Sequence, residues 1–247
     1  EFRRVYQPIV NLSTGKIYKA EALIRWQHPR RGLISPAEFI PVAESSGLIV
    51  ELGEWIFAQA AAQVKNWREQ LHPEFQVSVN KSPLQFENPN PNHVPWIDQL
   101  RALGLPGESV VVEITEGLLL STSNGVVDQL LKLRDEGINV SLDDFGTGYS
   151  SLSYLQKFDI DFIKIDQSFV RHLKAGTTDL VLCQAIIAMA HALGMKVIAE
   201  GVETEEQARL LRLLNCDEMQ GYLFSRPVPL AEFEALLERQ AALNLAP

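Results

Sequence analysis

The chain has 247 residues, of which 46% are hydrophobic and 21% are charged, and its formal net charge is −9. This length and balance fit one globular domain and match the usual size of a (β/α)8 barrel, about 250 residues. The negative charge and the lack of a basic stripe argue against a nucleic acid polymer as partner, although a small phosphate ligand neutralised by metal ions remains compatible.

Strand-like and helical segments alternate along the chain, beginning with a predicted hairpin. Val5–Val10 and Lys19–Leu23 are joined through the short turn Asn11–Gly15, so the first strand would run antiparallel to the others. Six more strands are predicted at Gln76–Asn80, Val110–Ile114, Asn139–Asp143, Phe162–Ile165, Lys196–Ala199 and Glu218–Gly221. Helices are predicted at Pro36–Ser46, Val50–Glu69, Trp96–Leu103, Gly125–Glu136, Thr178–Leu193, Thr204–Leu214 and Leu230–Leu243. This α/β alternation favours a single (β/α)8 TIM-type barrel with an antiparallel first strand over residues 1–247.

Several apolar segments end in a carboxylate or an amide. They are Ile17–Glu21, Phe75–Asn80, Val110–Glu113, Ile138–Asp144, Phe162–Asp166 and Lys196–Glu200. In a barrel of parallel strands these ends meet at the C-terminal rim, where functional residues act. A ring of acids is costly to assemble unless cations lie inside it, so the pattern predicts a divalent-metal site.

Alternation within the strands indicates which side chains face the barrel interior. Ser78 and Asn80 share one face of their strand, as do Ser141 and Asp143, whereas the residues between them are apolar. Helices outside the barrel would cover the apolar set, which turns the polar set inward. Exposed edge strands would show the same alternation, but they would not explain why the polar residues lie at the downstream ends.

The candidate metal ligands come from different strands. Glu21, Asn80, Glu113 and Asp143 offer oxygen atoms, which Mg²⁺ and Mn²⁺ prefer, and no Cys or His cluster competes for a softer metal. The adjacent Asp143 and Asp144 could serve two ions, and two ions about 3.5–4 Å apart can promote displacement at a phosphoester.

Two further residues could act on the reacting water. Lys164 would point into the ring of acids, either to orient water and stabilise charge or only to balance buried charge. Glu200 is the candidate base. The loop Phe145–Ser151 is rich in glycine and could close over a ligand, but it is neither GxGxxG nor a Walker A sequence.

With these residues in place, the chain resembles the EAL domain family of cyclic di-GMP phosphodiesterases. The resemblance covers almost the whole chain, and its name-giving motif is Glu21-Ala22-Leu23. The other matching segments are QPIV at Gln7–Val10, VNKSPLQF at Val79–Phe86, EITE at Glu113–Glu116, DDFGTGYSSL at Asp143–Leu152, KID at Lys164–Asp166, AEGVET at Ala199–Thr204 and QGYLFSRPVP at Gln220–Pro229.

The resemblance implies hydrolysis of one 3′–5′ phosphodiester of cyclic di-GMP to linear pGpG with two Mg²⁺ or Mn²⁺ ions. It implies a first metal shell of Glu21, Asn80, Glu113 and Asp143, with Asp144 and Asp166 near the second metal. Lys164 and Glu200 match the pair that activates water, Gln220 lines that site, and Glu116 matches the acid that holds the loop beginning at Phe145. The substrate-binding positions that it implies are Gln7, Leu23, Arg25, Glu203 and Pro227, with Arg25 as the phosphate contact and Gln7 and Pro227 near guanine.

One departure from the family is Lys81, which follows Asn80 where leucine is common. We expect this cation beside the rim to alter substrate attraction only slightly. Two alternatives remain: an EAL-type receptor that binds cyclic di-GMP without cutting it, and another acid-rimmed metal barrel such as a lyase or isomerase.

The setting of the domain is also predicted. No apolar run reaches the roughly 18 residues of a membrane span, so we expect no membrane contact and a cytoplasmic location with both cysteines reduced. Because the chain starts at Glu1, we expect a domain excised from a longer protein with sensory or cyclase domains upstream. The family resemblance implies a homodimer, for which the helix after Asp166 is the expected contact.

Overall fold

The computed structural model describes residues 1–87, 94–120, 124–146 and 158–245, together with Gly148 and Leu155. Nine strands lie in this part of the chain. They are β1 (Phe2–Asn11), β2 (Ile17–His28), β3 (Gly32–Ile34), β4 (Gln76–Asn80), β5 (Val110–Thr115), β6 (Asn139–Phe145), β7 (Phe162–Ile165), β8 (Lys196–Ala199) and β9 (Glu218–Gln220).

Eight of these strands close into a barrel. The order is β1, β9, β8, β7, β6, β5, β4, β2, and β1 also pairs with β2. β1 is antiparallel to both of its neighbours, whereas the remaining pairs around the barrel are parallel. The predicted (β/α)8 barrel with an antiparallel first strand is therefore confirmed. The additional β3 forms a hairpin with the end of β2.

Ten α-helices surround the barrel in the described residues. They are α1 (Pro36–Ser45), α2 (Leu48–Gln70), α3 (Pro83–Glu87), α4 (Trp96–Leu103), α5 (Glu116–Leu120), α6 (Asn124–Asp135), α7 (Gln167–Arg171), α8 (Thr178–Ala192), α9 (Glu205–Leu213) and α10 (Leu230–Leu245). A capping box begins α9: the Thr204 hydroxyl accepts from the Gln207 backbone amide, and the Gln207 side-chain oxygen accepts from the Thr204 backbone amide.

The two faces of the strands separate as the alternation predicted. Apolar residues such as Val77, Val140 and Ile163 belong to the large core between barrel and helices. Inside the barrel a smaller apolar cluster of Ile9, Val111, Phe162 and Ile198 lies below the polar layer. The inward-facing Ser78, Ser141 and Lys164 are at most 1% exposed, which excludes the alternative of solvent-exposed edge strands.

Two predictions about the chain's setting can be compared with the structure. Cys183 and Cys216 are both buried and unpaired. Among the described helices, none combines the length and the apolar character needed to cross a bilayer.

Candidate active site

β2, β4 and β5 bring three of the predicted metal ligands together at one end of the barrel. Strand register places Glu21 beside Ser78 and Asn80 beside Glu113. The Asn80 amide donates to Glu21 at 2.8 Å, and Gln220 from β9 donates to the second oxygen of the same carboxylate at 2.6 Å. Glu21 is thus held in a fixed orientation at the top of the barrel.

Lys164 lies at the centre of a ring of carboxylates that we call the acid ring: Glu21, Glu113, Asp143 and Glu200. Its ammonium nitrogen lies 2.6 Å from Glu200, 3.0 Å from Glu113, 3.3 Å from Asp143 and 3.6 Å from Glu21. Because the four acids lie in or directly after four different strands, only the closed barrel brings them within reach of one lysine.

Burial and mutual repulsion set the protonation of these groups. Burial opposes the charge on Lys164, but the surrounding carboxylates outweigh it and raise the lysine pKa well above its ordinary value. Burial and the neighbouring Glu21 raise the pKa of Glu113 well above its usual range. For Glu21, burial is outweighed by Lys164 and by the amides of Gln220 and Asn80, so its pKa is lowered.

Two acids of the ring, Asp143 and Glu200, also lie close to Asp144, which stands beside the ring. Asp143, Asp144 and Glu200 present oxygens that all lie within 4.8 Å of one another, a spacing that could hold a metal ion. Burial, followed by the charges of Asp143 and Asp166, raises the pKa of Asp144. Burial raises the pKa of Glu200 to about 8, with Lys164 opposing the shift and Asp143 adding to it. Asp166 is nearby, and its carboxylate accepts from the Ser168 amide as the N-cap of α7.

The donor set fits divalent cations. Four carboxylates around one ammonium leave an excess of negative charge in a buried place, and such an excess is stable only if it is neutralised. Glu113 is 1% exposed, and its Oε1 atom has no hydrogen-bond partner among the described residues. All of the ligands are oxygen donors, which suits hard cations.

Glu116 anchors the start of the glycine-rich loop. Its Oε2 atom accepts from the backbone amides of Gly146 and Gly148, each at 3.3 Å. A Cβ atom at Gly148 would lie 2.8 Å from the Glu116 carboxylate, and Gly146 has φ of 98°. The close approach of Glu116 at Gly148 and the positive φ at Gly146 explain why glycine occupies these two positions of the predicted loop. Residues 147 and 149–151 of the loop lie outside the described part.

The predicted substrate residues line one cleft of about 410 Å³ above the acid ring. Gln7, Leu23, Arg25, Glu203 and Pro227 all contribute to its wall. The Gln220 amide donates to Gln7 at 3.0 Å as well as to Glu21, so one side chain joins the wall of the cleft to the acid ring. Every predicted substrate residue therefore opens onto the same space as Asn80, Asp143, Lys164 and Glu200.

The EAL domain family profile matches residues 1–227, which include every residue of this site. The chain belongs to the EAL domain family. This chain is 40% identical over 236 residues to cyclic di-GMP phosphodiesterase NbdA of Pseudomonas aeruginosa. The match covers 94% of this chain and 30% of that protein. The chain is also 42% identical over 246 residues to the oxygen sensor protein DosP of Escherichia coli. That match covers 99% of this chain and 30% of DosP.

A solved EAL structure supports the same assignment. The PaMucR phosphodiesterase in complex with c-di-GMP has a TM-score of 0.85 and 37% identity, and the match covers 94% of each chain. The chain spans only 27–39% of the length of the first curated relatives that it matches.

The structure also places residues in the EAL cleft that the sequence did not predict: Gln167, Arg171, Gly201, Gly221 and Tyr222. A Cβ atom at Gly221 would lie 2.1 Å from the carbonyl oxygen of Val202, so the chain needs glycine there. Tyr222 is 49% exposed and packs against the Arg226 guanidinium. Tyr222 lies in the QGYLFSRPVP segment, close to Gln220 in the sequence. Its position in that segment is the sequence feature that could have identified it as a cleft residue.

Proposed function

We propose that the chain hydrolyses cyclic di-GMP to linear pGpG as a metal-dependent phosphodiesterase. The observation that carries the proposal is the buried Lys164 inside an unbalanced acid ring, directly below a cleft of about 410 Å³. The names of NbdA and PaMucR support the choice of substrate.

Two Mg²⁺ or Mn²⁺ ions are proposed at the rim. Glu21, Asn80, Glu113 and Asp143 would hold the first ion, and Asp144 and Asp166 would hold the second. When bound, such ions act as Lewis acids that stabilise charge on phosphoryl oxygens and favour ionisation of the attacking water. The cluster of Asp143, Asp144 and Glu200 supports the presence of a metal at this edge.

The chain's own residues would move the proton and stabilise charge. Glu200 would accept the proton of the attacking water, because bound cations beside it would favour its ionised form. The water oxygen bonds to phosphorus, the ester bond to the 3′ oxygen breaks, and the departing 3′ oxygen takes up a proton, so the proton lost to Glu200 is balanced and one water is consumed per bond cleaved. Lys164 would hold Glu200 in place at 2.6 Å and stabilise negative charge as the phosphoryl group reacts.

The cleft would bind the rest of the nucleotide. Arg25 would contact a phosphate of the substrate, because a planar guanidinium suits two phosphate oxygens at once. Gln7 and Pro227 would lie near guanine, and Leu23 would contact the substrate elsewhere in the cleft. Glu203 would act as a supporting acid, and Gln220 would orient Gln7 and Glu21. Glu116 would position the loop from Phe145 over the ligand through the two amide contacts that it makes.

The parent protein and the oligomeric state of the domain are also proposed. We propose one EAL domain within a longer cytoplasmic protein, because the chain spans only part of the curated relatives that it matches. A homodimer stays a prediction, and sedimentation of the purified domain at several concentrations would measure it.

One experiment decides the function. Purified protein is incubated with cyclic di-GMP and Mg²⁺, the nucleotides are separated, and Glu113→Gln serves as the matched variant of equal size. Accumulation of pGpG with the wild type and not with the variant supports the phosphodiesterase. If the protein binds the dinucleotide without cutting it, the protein is a receptor instead. If it neither binds nor cleaves the dinucleotide, the remaining alternative is another acid-rimmed metal barrel, such as a lyase or isomerase.

A further inference from the structure

Gln207, in the first turn of α9, makes more hydrogen bonds than a helix cap requires. The residue is 6% exposed. Its side-chain oxygen accepts from the backbone amides of Glu203, at 2.8 Å, and Thr204, at 2.9 Å. Its side-chain nitrogen donates to the carbonyl oxygens of Val170, at 3.0 Å, and Arg171, at 3.3 Å. The amide group therefore uses both of its donors and both lone pairs of its oxygen, and we call these four hydrogen bonds the Gln207 bridge.

The oxygen and the nitrogen of this side chain bind different elements. The oxygen completes the capping box of α9, and a glutamate would serve that purpose equally well. The nitrogen instead reaches the last two residues of α7, Val170 and Arg171. Because a carboxylate has no N–H to donate, a glutamate at this position could cap α9 but could not bind α7. Capping alone therefore does not explain why the residue is glutamine.

α7 carries groups that face the candidate active site. Asp166, proposed to hold the second ion, is the N-cap of this helix, and its carboxylate accepts from the Ser168 amide at 3.0 Å. Gln167 and Arg171 line the cleft. The helix has only five residues, and a helix so short is stable only through contacts with the rest of the protein. The position of Asp166 therefore depends on what holds α7.

The loop between β8 and α9, residues 200–204, begins with the candidate base and contacts α7. Glu200 starts the loop, and its backbone amide donates to the carbonyl of Ile165 at 3.1 Å. Next to it, a Cβ atom at Gly201 would lie 2.6 Å from the Cβ atom of Gln167, so the loop touches the first residue of α7. At the other end of the loop, the Gln207 bridge joins it to the last residues of α7. The two elements are thus in contact at both ends.

We propose that Gln207 is a positioning residue, which sets the spacing between Glu200 and Asp166 by joining the loop to α7. In the described part of the chain Gln207 does not contribute to the wall of the cleft, so it acts through its neighbours. A base must lie within hydrogen-bonding reach of the water that it deprotonates, so a small shift of the loop against α7 lowers the rate. The effect on turnover rests on the proposed function, whereas the bridge itself can be measured in the metal-free protein.

Two single variants separate the bridge from the helix cap. Gln207→Glu keeps the acceptor of the capping box and removes both donors to α7. Thr204→Ala removes the hydroxyl that accepts from the Gln207 backbone amide and keeps the bridge. In the metal-free domain, hydrogen exchange of the Ser168 and Phe169 amides of α7 should become about 10-fold faster in Gln207→Glu, the effect of losing two hydrogen bonds of modest net strength. It should stay near the wild-type rate in Thr204→Ala, whose unfolding midpoint in urea should be lower because a cap is lost.

A third variant covers the case in which a carboxylate at this buried position prevents folding. Gln207→Met has a side chain of similar length, brings no charge and removes the bridge entirely. We expect the same acceleration of exchange in α7 as in Gln207→Glu.

Metal binding and turnover then test the positioning role. In the Gln207 variants, Mn²⁺ titration followed by electron paramagnetic resonance should show about 10-fold weaker binding of the second ion and unchanged binding of the first. The kcat for cyclic di-GMP should fall about 10-fold, and Thr204→Ala should match the wild type in both measurements.

Three results would overturn the proposal: unchanged exchange in α7, unchanged binding of the second ion, or equal losses in Thr204→Ala. A wild type that binds two Mn²⁺ ions without cleaving cyclic di-GMP would refute the proposed function alone, because hydrogen exchange and Mn²⁺ binding would still decide the role of Gln207.

Discussion

The two ends of the barrel each contain a buried lysine, and the two lysines are paired in different ways. At the floor, Lys19 is 3% exposed, contacts the single carboxylate of Glu218 at 2.8 Å and lies 3.5 Å from the centre of the Phe162 ring. At the rim, Lys164 is 1% exposed and has four carboxylates within 3.6 Å.

The pKa values of the two lysines shift in opposite directions. Burial lowers the pKa of Lys19, because one partner does not fully compensate for desolvation. The pKa of Lys164 is raised in spite of burial, because four acids surround it. The floor is thus a balanced pair whose role is packing, whereas the rim holds more negative charge than its own lysine can neutralise. Burial of a charge alone does not mark a site; an imbalance of buried charge does.

The largest expected effect is at the rim. Glu113→Gln keeps the size of the side chain but removes one negative charge from the acid ring, so turnover of cyclic di-GMP should fall by about 10³-fold. Initial rates of pGpG formation measure this. Glu218→Gln is the matched change at the floor, and its rate per folded molecule should stay near that of the wild type. Equal losses in the two variants would remove the distinction between the ends.

At the floor we expect a loss of stability instead. Glu218→Gln leaves Lys19 buried without its carboxylate, which should lower the free energy of unfolding by about 3 kcal/mol. Urea denaturation followed by circular dichroism provides the value. Adding Lys19→Met to Glu218→Gln should recover much of the loss, and a single variant as stable as the wild type would show that the pair contributes little.

The loop anchor should have an intermediate effect. Glu116→Ala removes the acceptor of the Gly146 and Gly148 amides, so the loop loses its support while the barrel remains folded. We expect activity to fall about 10-fold, with an unfolding midpoint close to that of the wild type. Glu116→Gln retains an acceptor oxygen and should lose less. Wild-type kinetics for the alanine variant would contradict a positioning role for Glu116.

The smallest effect concerns Lys81. Its folded pKa of about 8 lies below the ordinary value of 10.5, so the folded state disfavours the charged form. Lys81→Met should therefore be about 1–3 kcal/mol more stable than the wild type below pH 8. Between pH 8 and 10.5 the unfolded wild type binds more protons than the folded one, so wild-type stability rises and the difference shrinks. Unfolding free energies at pH 7 and 10 test this, and a constant difference would refute it.

The sequence predicted the barrel because long, regular segments carry strong signals. All eight barrel strands and the longer helices were found, but the three-residue β3 and the five-residue helices α3, α5 and α7 were missed, because such short elements show no periodicity. The order of the barrel and its antiparallel first strand followed from the short turn between the first two strands and from the alternation after them.

The sequence also predicted that the acids meet at one rim of the barrel. It did not predict which of these acids lie next to each other or which groups they contact. The spacing of residues along the chain does not show that Glu200 lies with Asp143 and Asp144, or that Asp166 caps α7. The direction of Lys81 and the close approach of Gly221 to Val202 depend on how loops and helices pack in three dimensions. Such contacts join distant parts of the chain, and local sequence patterns do not encode them.

Mn²⁺ titration followed by electron paramagnetic resonance measures whether the unbalanced charge at the rim holds divalent cations. We expect saturable binding of two ions by the wild type and by Glu218→Gln, and binding at least about 10-fold weaker by Glu113→Gln. Mn²⁺ binding that is equal in wild type and Glu113→Gln, or absent from the wild type, would contradict it.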